Sequence, residues 1–518
     1  MTATIVKTNP RTGETLYTLQ EPTPEALAAT MERACAAAAV IKNMPVEARL
    51  DECRKLKRYL IAHKEDLVAG IVAENGKCVT DALIGDIFTC LDLITHYEKH
   101  APKILQDEAV PTPTLLMGKK SKIMYCPLGP VLVISPWNYP LNTSLTPALC
   151  AFIAGNPVII KPSEWTPMRG ILDRVLTESG FLKDGIQVVF GGRETGQQLI
   201  DLRPAKIFFT GSVRGGKAIL TQAAQHLIPV ELELGGKDPL IVFEDANLER
   251  AVNGAVWGAL NNTGQGCTSA ERCFVHDSIF DTFVERLKEK FGALSTPDTK
   301  TEDGGALDMG CMTTPFQLDI VRTQVDAARA AGATVWQAYE PKQGSTTYPP
   351  TIVTKVTPGM AAQCEETFGP AITVVPFKTE AEAIALANDT PYGLSSSVWT
   401  RDLAKADRVA RQIEAGNVCI NDVMSSEGNT ALPFGGVKQS GIGRYKGVVG
   451  LHTFCNMKSV MTDKGAKNAE LNWYPYTPEK YQLFLKIVDV AFLGGLTGLL
   501  KLAPVGMKAD SLVKKLSK

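Results

Sequence analysis

Between Pro127 and Phe243 the chain repeats one pattern: a short apolar run, then a stretch with helical spacing. The runs are Gly129–Ser135 (G-P-V-L-V-I-S), Pro157–Lys161 (P-V-I-I-K), Ile186–Phe190 and Lys206–Thr210 (K-I-F-F-T). A strand without a polar face must be covered on both sides, and strands that alternate with helices pair in parallel. The pattern therefore predicts a parallel α/β sheet of nucleotide-binding type. Leu240–Phe243 opens a second α/β unit. It has expected helices over Phe280–Phe291, Pro315–Ala331 and Ala381–Ala387, and strands over Ala371–Phe377 and Asn417–Asn421. Upstream, Thr23 to about Lys103 reads as helical. Pro111 and Pro113 then break the pattern, and Ser121–Cys126 reads as a strand.

A length of 518 residues predicts more than one domain. The net charge of −1 gives nucleic acid nothing to bind, so none is expected as a partner. Twelve cysteines are too sparse for a disulfide scaffold, and none falls in a C-x-x-C pair. His96 and His100, one helical turn apart, read as a solvated helix face, so no metal is expected. The N-terminus lacks an apolar signal core, which makes a cytoplasmic setting with reduced thiols the expectation.

Three stretches carry reactive groups. Asn261–Arg272 reads N-N-T-G-Q-G-C-T-S-A-E-R, with Cys267 beside Gly266 and uncrowded by Thr268 and Ser269. Leu248–Leu260 looks helical, and a thiol at the head of a helix after the Gly-rich break loses its proton more readily. A buried free cysteine is the alternative. Glu231–Pro239 reads E-L-E-L-G-G-K-D-P. Here Glu233 stands between leucines, where a carboxyl of raised pKa serves as a general base. The alternative is a strand with Glu231 and Glu233 on its wet face. Pro136–Pro140 (P-W-N-Y-P) offers the amide of Asn138. A nucleophile, a base and an oxyanion donor are the inventory for acyl chemistry.

E-L-G-G-K followed 34 residues after Glu233 by the cysteine of G-Q-G-C resembles the aldehyde dehydrogenase superfamily. K-P-S-E at Lys161–Glu164, E-E-T-F-G-P at Glu365–Pro370 and P-F-G-G at Pro433–Gly436 are similar to further signatures, in the same order, across roughly residues 5–465. The resemblance implies a Rossmann-type cofactor domain (1–108 and 128–235), an α/β catalytic domain (236–450) and a small β oligomerisation arm (109–127 and 451–464). It implies a homodimer or homotetramer, an aldehyde substrate, NAD as cofactor with NADP still open, and no metal. Cys267, Glu233 and Asn138 match the catalytic positions. Trp137, Lys161, Glu164, Gly211, Ser212, Glu366 and Phe368 match cofactor contacts. The family usually shows G-S-T-x-x-G where this chain has G-S-V-R-G-G, so Val213 removes one hydroxyl contact. Leu141, Leu145 and Thr146 point to a neutral aldehyde. Two other classes stand beside the enzyme: a silent binding module on this fold, and a cofactor-independent thiol esterase, separable by an assay without NAD.

The tail, 465–518, departs from that pattern. Tyr481–Leu502 reads as one apolar helix, whose longest uncharged run is too short to span a bilayer. Gly494 and Gly498 have G-x-x-x-G spacing, and Lys501, Lys508, Lys514, Lys515 and Lys518 make the end basic. Peripheral contact with a membrane surface, docking on a partner subunit and packing on its own catalytic domain all stay open.

Overall fold

A computed structural model describes residues 4–116, 118–300, 307–492 and 495–516. The chain divides into two compact units. One joins Met1–Leu105 to Cys126–Asn456, and the other joins Gln106–Tyr125 to Met457–Lys518.

The first unit holds two large sheets besides an antiparallel hairpin of Thr4–Thr8 and Thr15–Gln20. In chain order, β1 is Val131–Ile134, β2 Val158–Lys161, β3 Ile186–Val188, β4 Lys206–Thr210 and β5 Val230–Glu233. The second sheet takes β6 (Asp238–Val242), β7 (Ala270–His276), β8 (Thr334–Gln337), β9 (Thr351–Thr354), β10 (Ala371–Phe377), β11 (Ser397–Trp399) and β12 (Cys419–Ile420). A last strand, β13 (Gly441–Ile442), returns to the first sheet. The spatial orders are β13-β5-β4-β1-β2-β3 and β8-β9-β10-β7-β6-β11-β12. Every pairing is parallel except β13 on β5 and β8 on β9. The expected parallel sheet is there because the apolar runs are covered on both faces: Val131, Leu132 and Val133 are all fully buried. Leu132, Ile159 and Ile207 join one core with Leu27 and Met31 of the first helix, Pro24–Ile41. Burying each such side chain contributes about 1.5–3 kcal/mol.

Several expected elements shrink. Asn417–Asn421 keeps only β12, and Asn421 turns away at φ +53°. Gly129–Ser135 keeps only β1, since Gly129 sits at φ +128°.

The second unit contains Glu108–Val110 paired antiparallel with Lys120–Pro127, and Cys455–Thr462 on the other side of that strand. Two helices follow, Pro478–Ala491 and Gly495–Leu516. Where one helix was expected over Tyr481–Leu502, the described residues form two, one ending at Ala491 and the other beginning at Gly495. Gly494 and Lys518 lie outside the described residues, and the side chains of Lys501, Lys514 and Lys515 are likewise outside the description. Among the described residues no helix is long and apolar enough to cross a membrane.

Candidate active site

The first sheet reverses direction between β1 and β4: β2 and β3 extend one way from β1, and β4 and β5 the other. A crevice opens outside the carboxyl ends of parallel strands at such a point. The sequence-predicted residues gather there. Trp137 and Asn138 follow β1, Lys161 ends β2, Gly211 and Ser212 follow β4, and Glu233 ends β5. The register confirms one level, with Ile134 opposite both Lys161 and Phe209, and Thr210 opposite Glu233. The second sheet contributes its amino ends: Gly235–Gly236 lead into β6, Cys267 into β7, and Glu366–Phe368 into β10.

Cys267 does not head a helix. After helix Leu248–Leu260 the chain makes a short turn and runs through Cys267 into strand β7. The expected helix-dipole assistance to the thiol is therefore absent. The turn holds three successive left-handed residues, Asn262 (φ +51°), Thr263 (φ +60°) and Gly264 (φ +71°). For β-branched Thr263 this costs about 1–3 kcal/mol. Buried bonds offset it: Asp81 accepts from the Asn261 amide at 2.8 Å and from the Asn262 N–H at 3.0 Å, and Gln265 Oε1 accepts the Thr313 N–H at 2.9 Å. Gly264 has no substitute, since a Cβ there would lie 2.2 Å from the Gly369 carbonyl oxygen. Cys267 is half-buried. Burial pushes its thiol well above the ordinary range, and the carboxylates of Glu427, Asp238, Glu233 and Glu366 push it further.

Asn138 is buried, and its Nδ2 donates to the Gln265 carbonyl at 2.9 Å, tying it to the cysteine loop. The second N–H of that amide is not used in this bond. The Asn138 carbonyl accepts from Lys77 Nζ at 2.8 Å and Asn262 Nδ2 at 3.1 Å, and Asn75 Nδ2 donates to the Trp137 carbonyl at 2.8 Å. Lys77 pairs with Asp86 at 2.9 Å with both side chains fully buried. Asp86, on a π-helical turn (Ala82–Phe88), also accepts the N–H groups of Leu141 and Asn142. None of these supports has a local sequence signal. Leu141, Leu145 and Thr146 are themselves fully buried.

Glu233 is buried, and among the described residues neither of its carboxylate oxygens has a partner. Burial raises its pKa well above the carboxylate range; Arg444 opposes this, Glu231 adds to it, and Lys446 opposes it. The alternative of a wet strand face is overturned for both acids, since Glu231 bonds Lys206 Nζ at 2.7 Å as well as the Thr453 hydroxyl.

The glycines after Glu233 are contact surfaces. A Cβ on Gly235 would lie 2.3 Å from Glu366 Oε2, and one on Gly236 would lie 2.5 Å from the Cys267 carbonyl oxygen. Lys237 and Glu271, which stand in the quoted motifs without a role, form a buried pair at 2.6 Å. Glu271 accepts the N–H groups of Thr367 and Phe368 at 2.7 and 2.8 Å, which holds Phe368 at φ +51°.

Glu366 accepts the Gly236 N–H at 3.1 Å, and burial followed by Glu271 pushes its pKa up to about 8. The Phe368 ring meets Trp137 edge-on at 5.3 Å. Phe316, near both Trp137 and Trp165, extends this aromatic wall and carried no sequence signal. Lys161 is buried with its pKa lowered by burial, and it stands 3.7 Å from Glu164. Ser212 caps helix Val213–Ala224, its hydroxyl accepting the Gly215 N–H at 3.2 Å. A Cβ on Gly211 would strike the Phe209 ring at 2.6 Å. A helix start at the switch point, an aromatic wall and a buried lysine fit a dinucleotide's pyrophosphate, rings and ribose.

The aldehyde dehydrogenase family model matches residues 1–460. The chain belongs to the aldehyde dehydrogenase family. It is 40% identical over 493 residues to 4,4'-diapolycopene aldehyde oxidase from Methylomonas sp, covering 94% of this chain and 91% of that protein. It is 34% identical over 463 residues to succinate semialdehyde dehydrogenase [NAD(P)+] from Escherichia coli strain K12, covering 89% and 98%. The NAD+ complex of an aldehyde dehydrogenase from Bacillus cereus has a similar structure, with TM-score 0.83 and 32% identity, over 89% of this chain and 94% of that one. In this family member Lys446 is a further buried cation beside the site. Its Nζ donates to the Glu427 carbonyl at 2.7 Å, and the Glu427 carboxylate takes the Thr268 hydroxyl at 2.7 Å, next to the thiol.

Proposed function

We propose that this aldehyde dehydrogenase oxidises an aldehyde to a carboxylic acid with NAD(P), through a thioester on Cys267. The convergence of Cys267, Asn138 and Glu233 on one crevice carries the reading. Asn138 is bonded to the cysteine loop, and the Gly235–Gly236 link from Glu233 rests on the Cys267 backbone. Cys267 attacks the carbonyl carbon as thiolate. The Asn138 amide and the Cys267 N–H hold the oxyanion, each donor being worth about 2.7–4 kcal/mol in the transition state. When bound, the oxidised nicotinamide supplies a hydride acceptor and a positive charge. Glu233 then takes a proton from water as that water attacks the thioester, and the thiol is released with the acid.

Trp137, Phe368 and Glu366 are the proposed holders of the nicotinamide end. Lys161 and Glu164 hold the adenosine ribose, and Gly211 and Ser212 the pyrophosphate. A carboxylate at Glu164 accepts from a ribose hydroxyl and repels a 2′-phosphate, so NAD is the preferred cofactor. Lys161 offsets part of that repulsion, so NADP is used more slowly.

The substrate is read as a neutral, apolar aldehyde. The Glu427 carboxylate beside Thr268 disfavours an anionic one. A match over 94% of the chain must pass residue 460, where the family model stops, and the relative matched that far is named for 4,4'-diapolycopene aldehyde. A homodimer or homotetramer, a cytoplasmic setting supported by twelve free cysteines, and peripheral membrane contact through the tail belong to the same proposal.

Cys267→Ala tests it. NADH production should vanish while NAD binding, followed by fluorescence, persists. Turnover retained in that variant overturns the assignment.

A further inference from the structure

We infer that helix Pro478–Ala491 and the aromatic segment before it form a docking face for anionic lipid, from which an apolar aldehyde is taken up. The inference rests on the aldehyde dehydrogenase reading above and names the surface that supplies its substrate.

The helix has two apolar faces. Leu483 is buried. On another side Tyr481, Leu485, Val488 and Phe492 recur every three or four residues and all four are exposed, Phe492 by 74%. Residues so spaced share one stripe. Trp473, Tyr474 and Tyr476, just upstream, are exposed too, Tyr474 by 81%. Seven exposed apolar side chains thus fall within twenty residues, four of them on one helix stripe, and exposed apolar surface of this kind marks interaction sites.

Charge selects the occupant. From Trp473 to the C-terminus the sequence holds seven lysines against three acids, in a chain whose net charge is −1. Among the described residues Lys486 and Lys508 are exposed, as are Glu479 and Asp489, and Lys480 is buried with its Nζ on the Trp473 carbonyl. Aromatic side chains with a polar tip settle at a lipid–water boundary, and lysines draw them to anionic headgroups. A second copy of the chain would bring a like-charged tail against this one. It would also have to pack Tyr and Phe at both ends of a stripe only three turns long, too short for a self-sufficient coiled coil. The two tail helices are too short in their uncharged runs to span, so the contact is peripheral.

The test uses the full chain and a variant with Tyr481→Ser, Leu485→Ser, Val488→Ser and Phe492→Ser. Co-sedimentation is measured with phosphatidylcholine vesicles with and without about one-third phosphatidylglycerol. The parent should bind the anionic vesicles at least about tenfold better, and the variant should lose about tenfold of that binding. NADH production from hexadecanal dissolved in the vesicles should fall in step. Production from propionaldehyde in buffer should be unchanged, which shows that the variant folds and that the catalytic reading stands. Equal binding of parent and variant, or no binding of the parent, overturns the inference. So does a variant of lower native mass whose vesicle binding is intact, because the stripe would then be covered by a second copy. Absence of NADH from every aldehyde in both forms would instead count against the reaction, whatever the vesicles show.

Discussion

Gly236→Ala isolates how the chain positions its thiol. The added Cβ would stand 2.5 Å from the Cys267 carbonyl oxygen and 2.7 Å from Asp238 Oδ1. Real Cβ atoms essentially never come under 3.0 Å, and ordinary contact begins at 3.4 Å. The Cys267 carbonyl must therefore retreat by about 0.5–0.9 Å, a misplacement of the order that costs ~10²-fold in rate. That is about 2.7 kcal/mol of activation free energy. The overpacking itself should lower stability by about 1–3 kcal/mol, which thermal unfolding separates from the catalytic loss. The assay is steady-state NADH production with alkylation of Cys267 by iodoacetamide alongside; both should drop in a protein that still unfolds cooperatively. Gly235→Ala is the control one residue away. Its Cβ meets the Glu366 carboxylate, a movable side-chain end that would swing off the Gly236 N–H. Its expected effect is a rise of about tenfold in KM for the cofactor with alkylation unchanged, roughly the loss of one hydrogen bond to a charged group. Normal turnover in Gly236→Ala, or the same defect in both variants, would refute the assignment of the two glycines to two different sites.

Glu233→Gln should give a burst of NADH followed by slow turnover, because the thioester forms but waits for its base; unchanged steady-state turnover would place the base elsewhere. Burial holds Glu233 protonated and Cys267 as thiol beyond their usual ranges, so both reactive forms grow as pH rises. The rate should climb from neutrality into the alkaline range, and a pH-independent rate there would contradict this. The native state holds the Glu233 proton more tightly than the unfolded chain does. Stability should therefore fall as pH rises above the ordinary carboxylate pKa toward the raised one, and Glu233→Gln should flatten that slope in thermal melts. Glu164→Gln should raise kcat/KM for NADP relative to NAD by about tenfold, the worth of one unfavourable charge contact at ~1.4 kcal/mol. No change in the ratio would mean that Lys161 already cancels the carboxylate.

Local signals made part of this legible in the sequence. β1, β2 and β4 were readable because a strand buried on both faces has to be apolar throughout. Cys267, Glu233 and Asn138 could be picked out as candidates, each in a stretch whose neighbours allow close approach, and the fold brings the three to one crevice. Their supports were not. Asn75, Lys77, Asp81 and Asp86 lie in a helical region, and they act on residues 137–142 and 261–262 through long-range hydrogen bonds that leave no periodicity. Glu271 carries no local signal, and only the fold shows it gripping Thr367 and Phe368. The helix start expected at Cys267 failed because Asn262–Gly264 turn left-handed and the chain runs on into β7. In the tail, the continuous apolar run over Tyr481–Leu502 carries no signal for a helix that stops at Ala491 and another that starts at Gly495.

The closing strand of the first sheet bears on how the protein is born. Glu233 ends β5, and the neighbour on its outer side is β13, where Gly441 lies opposite Glu233 and was synthesised about two hundred residues later. A ribosome adding about 5–20 residues per second leaves that edge bare for roughly 10–40 s. During that interval the nascent chain carries an unfinished sheet edge open to pairing with other chains. The crevice is completed only once the chain has grown past Ile442. A chain stopped early, at residue 430 for instance, should emerge without a seat for the carboxylate and with an edge that chaperones must shield.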